Sequence, residues 1–148
     1  MNILKIKNLL LASVLLVFPT SIFAGSGHYH YDGPDISGAK IKIFGPWLAP
    51  EDESFRDVLS IFEKETGASV EYGGSDEFEQ IINIDCKAGN PADIAVFPQP
   101  GLAANIAATG CLAPQGNDLK QMVLDNYAAG QSWVDLTTYA DASGKDQF

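Results

Sequence analysis

Polar and apolar residues alternate along Lys40-Ile-Lys-Ile-Phe44, which is the period of a β-strand. The period changes after the loop Gly45-Pro46-Trp47. Phe55, Val58, Leu59 and Phe62 recur at i, i+3, i+4 and i+7, so a helix carries them on one apolar face. Pro50 opens that helix, Glu51, Asp52 and Glu53 occupy the first turn where the dipole favours anions, and Gly67 caps its end. Ala68 to Tyr72 reads as a second strand, with Gly73 to Asp76 as its exit loop. Ser75 is a natural N-cap for a helix whose inner side is expected to hold Phe78, Ile81, Ile82 and Cys86.

Gly89 and the Asn90-Pro91 turn signal precede Asp93 to Phe97, a third strand. Its apolar run Ile94-Ala-Val-Phe97, flanked by turn residues, marks a strand buried on both faces. Pro98-Gln-Pro-Gly101 stops it, and Leu102 to Thr109 reads as a helix closed by Gly110. Asn117 to Tyr127 is another helix, with Leu119, Met122 and Val123 expected inward. Trp133 to Tyr139 looks like a strand or short bridge, residues 141 to 145 like a hairpin loop, and Asp146 to Phe148 like the start of a return strand.

A β-α-β-α-β-α order predicts an α/β fold with a small, doubly wound, mainly parallel sheet. The three strand exits then share one edge, where open α/β sheets place ligands. Trp47 and Phe97 offer flat apolar faces against which sugar C–H groups pack, and Ser75, Asp76 and Gln99 offer hydroxyl partners. Pro98 holds the third exit rigid. Two of these have plain structural alternatives: Trp47 as a packing residue, and Asp76 as a charge serving only a helix start. Asp93 belongs elsewhere, since four residues of strand put it ~13 Å from Phe97. It is expected to be structural, with Gly89, Asn90 and Pro91, and to hold the turn from Asn90.

Composition narrows the partners. The 148 residues argue for one domain, with an ordinary 46% apolar content. Nine Lys and Arg face 19 Asp and Glu, an acidic balance that repels nucleic acid and anionic lipid. Residues 1–24 read as an export signal: Lys5 and Lys7 are basic, Leu9 to Phe18 form an apolar core of about ten residues, and Ala24 offers the cleavage site. That core is too short for a bilayer, which needs about 20 apolar residues. Residues 25–39 lack periodicity and read as a flexible tail. His28 and His30 within it read as solvated linker and not as a metal site. Cys86 and Cys111 can pair in one way only. Consecutive right-handed crossovers put their helices on one face, so either a disulfide or two buried thiols fits.

Catalytic chemistry finds little footing. Both histidines lie in the tail, so the body of the domain cannot build a Ser-His-Asp or Cys-His arrangement. A phosphate loop, metal-ligand spacing and a C-x-x-C pair are all missing from the sequence, and no cofactor is expected.

Several stretches share a vocabulary: F-E-K-E-T-G at Phe62–Gly67, G-N-P-x-D-I from Gly89, P-Q-P-G at Pro98–Gly101, A-x-x-G-C-L-A-P at Ala107–Pro114 and S-W-V-D-L at Ser132–Leu136. In this order they resemble the family 1 extracellular solute-binding proteins of ABC importers, in particular the α-glucoside and maltose-type sugar binders. The resemblance implies a periplasmic-binding-protein-like N-terminal lobe over residues 40–148. It implies a non-catalytic periplasmic protein, a monomer, that delivers sugar to membrane permease subunits. Sugar-facing loops would be those of Trp47, of Ser75 and Asp76, and of Phe97, Pro98 and Gln99. Members of the family are far longer, with a second lobe closing over the sugar. The lobe is therefore expected to be incomplete and to bind sugar weakly or not at all by itself. Other readings are a binder of another small solute such as iron or a polyamine, and an exported interaction module without a small ligand.

Overall fold

The computed structural model describes residues 30–148; the expected signal sequence lies outside the described residues. The elements in chain order are β1 (Lys40–Gly45), α1 (Glu51–Thr66), β2 (Ser69–Gly74), α2 (Phe78–Ala88), β3 (Ile94–Ala95), α3 (Pro100–Ala108), α4 (Asn117–Asn126), α5 (Gly130–Leu136), β4 (Tyr139–Ala140) and β5 (Asp146–Gln147). Among the described residues β1, β2 and β3 form one parallel sheet in the order β2-β1-β3. The fold is thus α/β with a parallel sheet. None of the described helices is long and apolar enough to cross a membrane.

The pleat sorts the core into two faces. Ile43 and its register partner Tyr72 are buried on the α1 side, where Tyr72 meets Phe55 edge-on with ring centroids 5.2 Å apart. Phe44, the next residue along β1, points the other way and packs on Phe78 of α2 at 5.1 Å. On that second face Phe78 and Ile82 of α2 join Leu102 and Ile106 of α3, with Phe44, Ala95 and Phe97 against them. Cys86 and Cys111 form a disulfide across this face, their Cα atoms 5.7 Å apart.

Helix α1 starts after a cis Ala49–Pro50 bond and ends at Gly67, whose φ of 70° suits a residue without Cβ. Val58, expected on its inner face, is 60% exposed. At 3.6 residues per turn Asp52, Phe55, Leu59, Phe62 and Thr66 fall within an arc of about 80°, and Val58 lies beyond its edge. Asp52 can be buried in this arc because Arg56 Nε donates to its carboxylate at 2.8 Å. The part of the N-terminal tail that is described rests on the same helix. Tyr31 meets Phe62 with centroids 6.2 Å apart, and the Gly38 N–H donates to the Gly67 carbonyl at 2.9 Å.

Three other elements depart from the pattern reading. Strand β3 is two residues long and sits at the edge of the described sheet, with Ile94 49% exposed; it is not buried on both faces. The first described strand, β1, holds the centre instead, because the crossover through α1 puts β2 on one side of it and the crossover through α2 carries the chain from β2 to β3 on the other. Residues 130–136 are helical where a strand or bridge was expected. There Gly130 and Val134, four apart, are both buried, and a Cβ on Gly130 would meet Leu124 Cα at 2.7 Å. That close approach lets α5 lie on α4. Helix α4 buries no residue fully, so Leu119 and Met122, expected inward, remain open to solvent.

The terminal hairpin matches its prediction: β4 and β5 pair antiparallel around residues 141–145. Asp141 organises the turn. Its carboxylate accepts from Ser143 Oγ at 2.6 Å, from the N–H groups of Ser143 and Lys145 at 2.8 and 3.1 Å, and from Gln147 Nε2 at 3.2 Å. These donors, Ser143 Oγ first, hold its pKa down to about 2.

Candidate functional site at the carboxyl edge of the sheet

Because β2, β1 and β3 run parallel, their carboxyl ends share one edge, and backbone bonds tie the exits together. Ser75 N–H donates to the Gly45 carbonyl at 3.0 Å, and Val96 N–H donates to the Phe44 carbonyl at 2.8 Å. The chain leaves β1 for β2 on one side and reaches β3 on the other. The crevice of a 2-1-3 order therefore falls between the exits of β1 and β3. Gly45 and Gly74 make the approach possible. A Cβ at Gly74 would fall on the Trp47 carbonyl oxygen, and one at Gly45 would lie 2.8 Å from the Tyr72 hydroxyl and 3.2 Å from Val96 Cβ.

Trp47 is half-buried and is used in packing. Its ring lies 5.2 Å from that of Phe55 and 6.3 Å from that of Tyr72. The Tyr72 hydroxyl accepts from Trp47 N–H at 2.9 Å and donates to the Trp47 carbonyl at 3.2 Å. One buried phenol thus satisfies both peptide groups of the loop residue. Burial pushes the Tyr72 phenol above its ordinary 10.0; the Trp47 amide opposes the rise and the negative charge of Asp52 adds to it. Arg56 completes the support. Its Nη2 donates to the Tyr72 carbonyl at 3.1 Å, and its guanidinium lies 5.3 Å from the Tyr72 ring centroid.

The remaining candidates are distributed between edge and scaffold. Ser75 is not the cap of α2, which starts at Phe78; its Oγ accepts from Glu77 N–H at 3.1 Å within the preceding turn. Asp76, beside it, is exposed. Phe97 packs edge-on against Phe78 at 5.6 Å and belongs to the α2–α3 core, while Pro98 is exposed. Gln99 Oε1 accepts from Leu102 N–H at 3.3 Å and caps α3. Asp93 lies at the opposite edge. Its carboxylate accepts from Lys42 N–H at 2.8 Å, so it fastens the start of β3 to β1 and does not hold the Asn90 turn. That turn is closed by Gly89, φ 71°, and by Asn90 N–H donating to the Asp85 carbonyl at 3.0 Å; Pro91 follows, exposed.

Pattern reading missed Tyr72, Arg56 and Gly74. Tyr72 carried only a strand-period signal and Arg56 only that of a solvated helix position. Gly74, the second of two adjacent glycines at a strand end, was the one available hint of a close backbone approach. Among the described residues no group of three or more His, Cys, Asp or Glu gathers as a metal site.

No protein-family model matches the chain. Two curated proteins are similar to it. The alpha-glucosides-binding periplasmic protein AglE of Rhizobium meliloti (strain 1021) is 50% identical over 114 residues, 77% of this chain and 24% of that protein. The osmoprotective compounds-binding protein GgtB of Synechocystis sp. (strain ATCC 27184 / PCC 6803 / Kazusa) is 34% identical over 108 residues, 70% of this chain and 25% of that protein. The chain spans about a quarter of the length of these relatives. Over the matched residues, which include its parallel α/β sheet, the chain is thus similar to periplasmic solute-binding proteins.

Proposed function

We propose that this chain is part of the substrate-binding component of an ABC sugar importer, and that its sheet edge forms one jaw of a clamp for an α-glucoside. The observation that carries the reading is the meeting of the β1 and β3 exits, in a chain half identical to an α-glucoside-binding protein over most of its length. Trp47 and Phe97 are fixed by packing, so they would present ring edges at no further ordering cost, and Asp76 and the Gln99 amide would meet hydroxyls. The other jaw would come from a second lobe, as the resemblance implies. Binding by this lobe alone is weak, because one wall leaves much of the sugar in water. Residues 1–24 would direct export to the periplasm, and permease subunits of the importer would receive the sugar there.

The test is an NMR titration of the chain with maltose-like α-glucosides. Shifts confined to Trp47, Ser75, Asp76 and residues 97–99, saturating only at millimolar sugar or above, support the reading. Shifts centred elsewhere, or none at any attainable concentration, overturn the site; micromolar affinity overturns the half-cleft argument. The second relative favours another reading, an osmoprotective compound at the same edge. A competition titration between the two ligand classes separates them.

A further inference from the structure

We infer that the Cys86–Cys111 disulfide is a redox-sensitive strut: its reduction releases α3 and the β3 exit while β1, α1 and β2 stay folded. The two halves of the fold are held very differently. β1 and β2 share a ladder of six residue pairs, backed by Tyr72, Phe55 and the Arg56 bonds. β3 has two register pairs with β1, Ile43 with Ile94 and Phe44 with Ala95, flanked by the Lys42 N–H to Asp93 carboxylate bond and the Val96 N–H to Phe44 carbonyl bond. What holds α3 to α2 is one small cluster, Phe78 and Ile82 against Leu102 and Ile106, plus the disulfide at its rim. Helix α3 begins at Pro100, directly after Gln99, so any loosening of α3 passes to residues 97–99 without an intervening hinge.

The bond is also reachable. Both cysteines are partly exposed, and an open recess of about 220 Å³ lies beside them, lined by Asn83, Lys87, Thr109 and Gly110. A Lys ammonium in that recess favours the thiolate form of a departing cysteine. A dithiol reductant supplies the two electrons. One of its thiolates attacks a cystine sulfur and displaces the other as thiolate, and its second thiolate then resolves the mixed disulfide. Cys86 and Cys111 end as two thiols, taking two protons, while the reductant closes to its own cyclic disulfide.

The inference does not depend on the sugar reading, and its test reads structure alone. Amide hydrogen exchange is compared for the oxidised chain, for the chain reduced in place with dithiothreitol, and for a Cys86→Ser/Cys111→Ser variant. Closing a loop of 25 residues constrains the opened state enough that exchange across residues 97–109 should quicken on the order of 100-fold on reduction. Residues 51–74 should exchange as before, the double variant should match the reduced chain without reductant, and reoxidation should restore protection. Uniform acceleration through residues 51–74, or global unfolding of either form, shows a bond that supports the whole fold and sinks the local strut. Unchanged exchange at 97–109, or resistance of the native bond to dithiothreitol, sinks it equally.

Discussion

Tyr72→Phe is the sharpest probe of how the β1 exit is held. The substitution keeps the ring, so the contacts with Phe55 and Trp47 and the Arg56 guanidinium over its face persist and no cavity forms. It removes one oxygen that accepts from Trp47 N–H and donates to the Trp47 carbonyl. A buried donor or acceptor left unpaired costs ~1–3 kcal/mol. Trp47 is half-buried, and water can reach part of the vacated site, so the two losses together come to ~2 kcal/mol. That is roughly 30-fold in the folded-to-unfolded ratio. Urea unfolding followed by tryptophan fluorescence should show the midpoint falling by ~1–2 M with an unchanged slope. The alkaline limb adds an independent readout. The folded phenol titrates above 10.0, so its contribution is complete below pH 10 and declines as pH rises through the folded value. That decline should be missing from the variant. A midpoint within ~0.2 M of the parent, at equal slope, would mean that water replaces the phenol oxygen and that it does not organise the loop.

Gly74→Ala places a methyl on the Trp47 carbonyl and should cost ~1–3 kcal/mol in a thermal melt, whereas Gly116→Ala, in open space, should cost far less. Gln99→Ala removes the side-chain acceptor at the start of α3 and should cost ~1 kcal/mol, with faster amide exchange at Leu102 as its local mark. Asp141, with its pKa held near 2, supports the hairpin above the ordinary carboxylate range and stops doing so as pH falls through that value. Amide shifts of Ser143 and Lys145 should therefore titrate near pH 2, and Asp141→Asn should flatten that transition.

The parts of the fold visible in the sequence are those set by local period and punctuation. Gly67 ended its helix in the left-handed conformation that glycine tolerates, and Asp141 with Ser-Gly marked the hairpin. Where the pattern misled, long-range partners decided. Ile94-Ala-Val-Phe97 reads as a strand buried on both faces, yet burial depends on a strand's place in the sheet, and the middle place went to β1. Trp133-Val-Asp-Leu136 has strand-like composition, but the contact of Gly130 with the α4 backbone makes a helix the better packing. At the candidate site the exits could be assigned to one edge from topology. The duties of their side chains could not, because Trp47, Phe97 and Gln99 each have a partner at least three residues away in the chain.

A sheet whose middle strand is the earliest in sequence among the described residues has a kinetic signature. β1 has no hairpin neighbour; it must wait for β2, 29 residues on in register, and then for Asp93, whose bond to Lys42 closes a span of 51 residues. Each closure is entropically unfavourable before its contacts form, so assembly is expected to be slow and stepwise, with β1–α1–β2 forming ahead of β3. A nascent chain emerging residue by residue would keep the apolar face of β1 uncovered throughout that interval, giving holding chaperones a defined stretch to grasp.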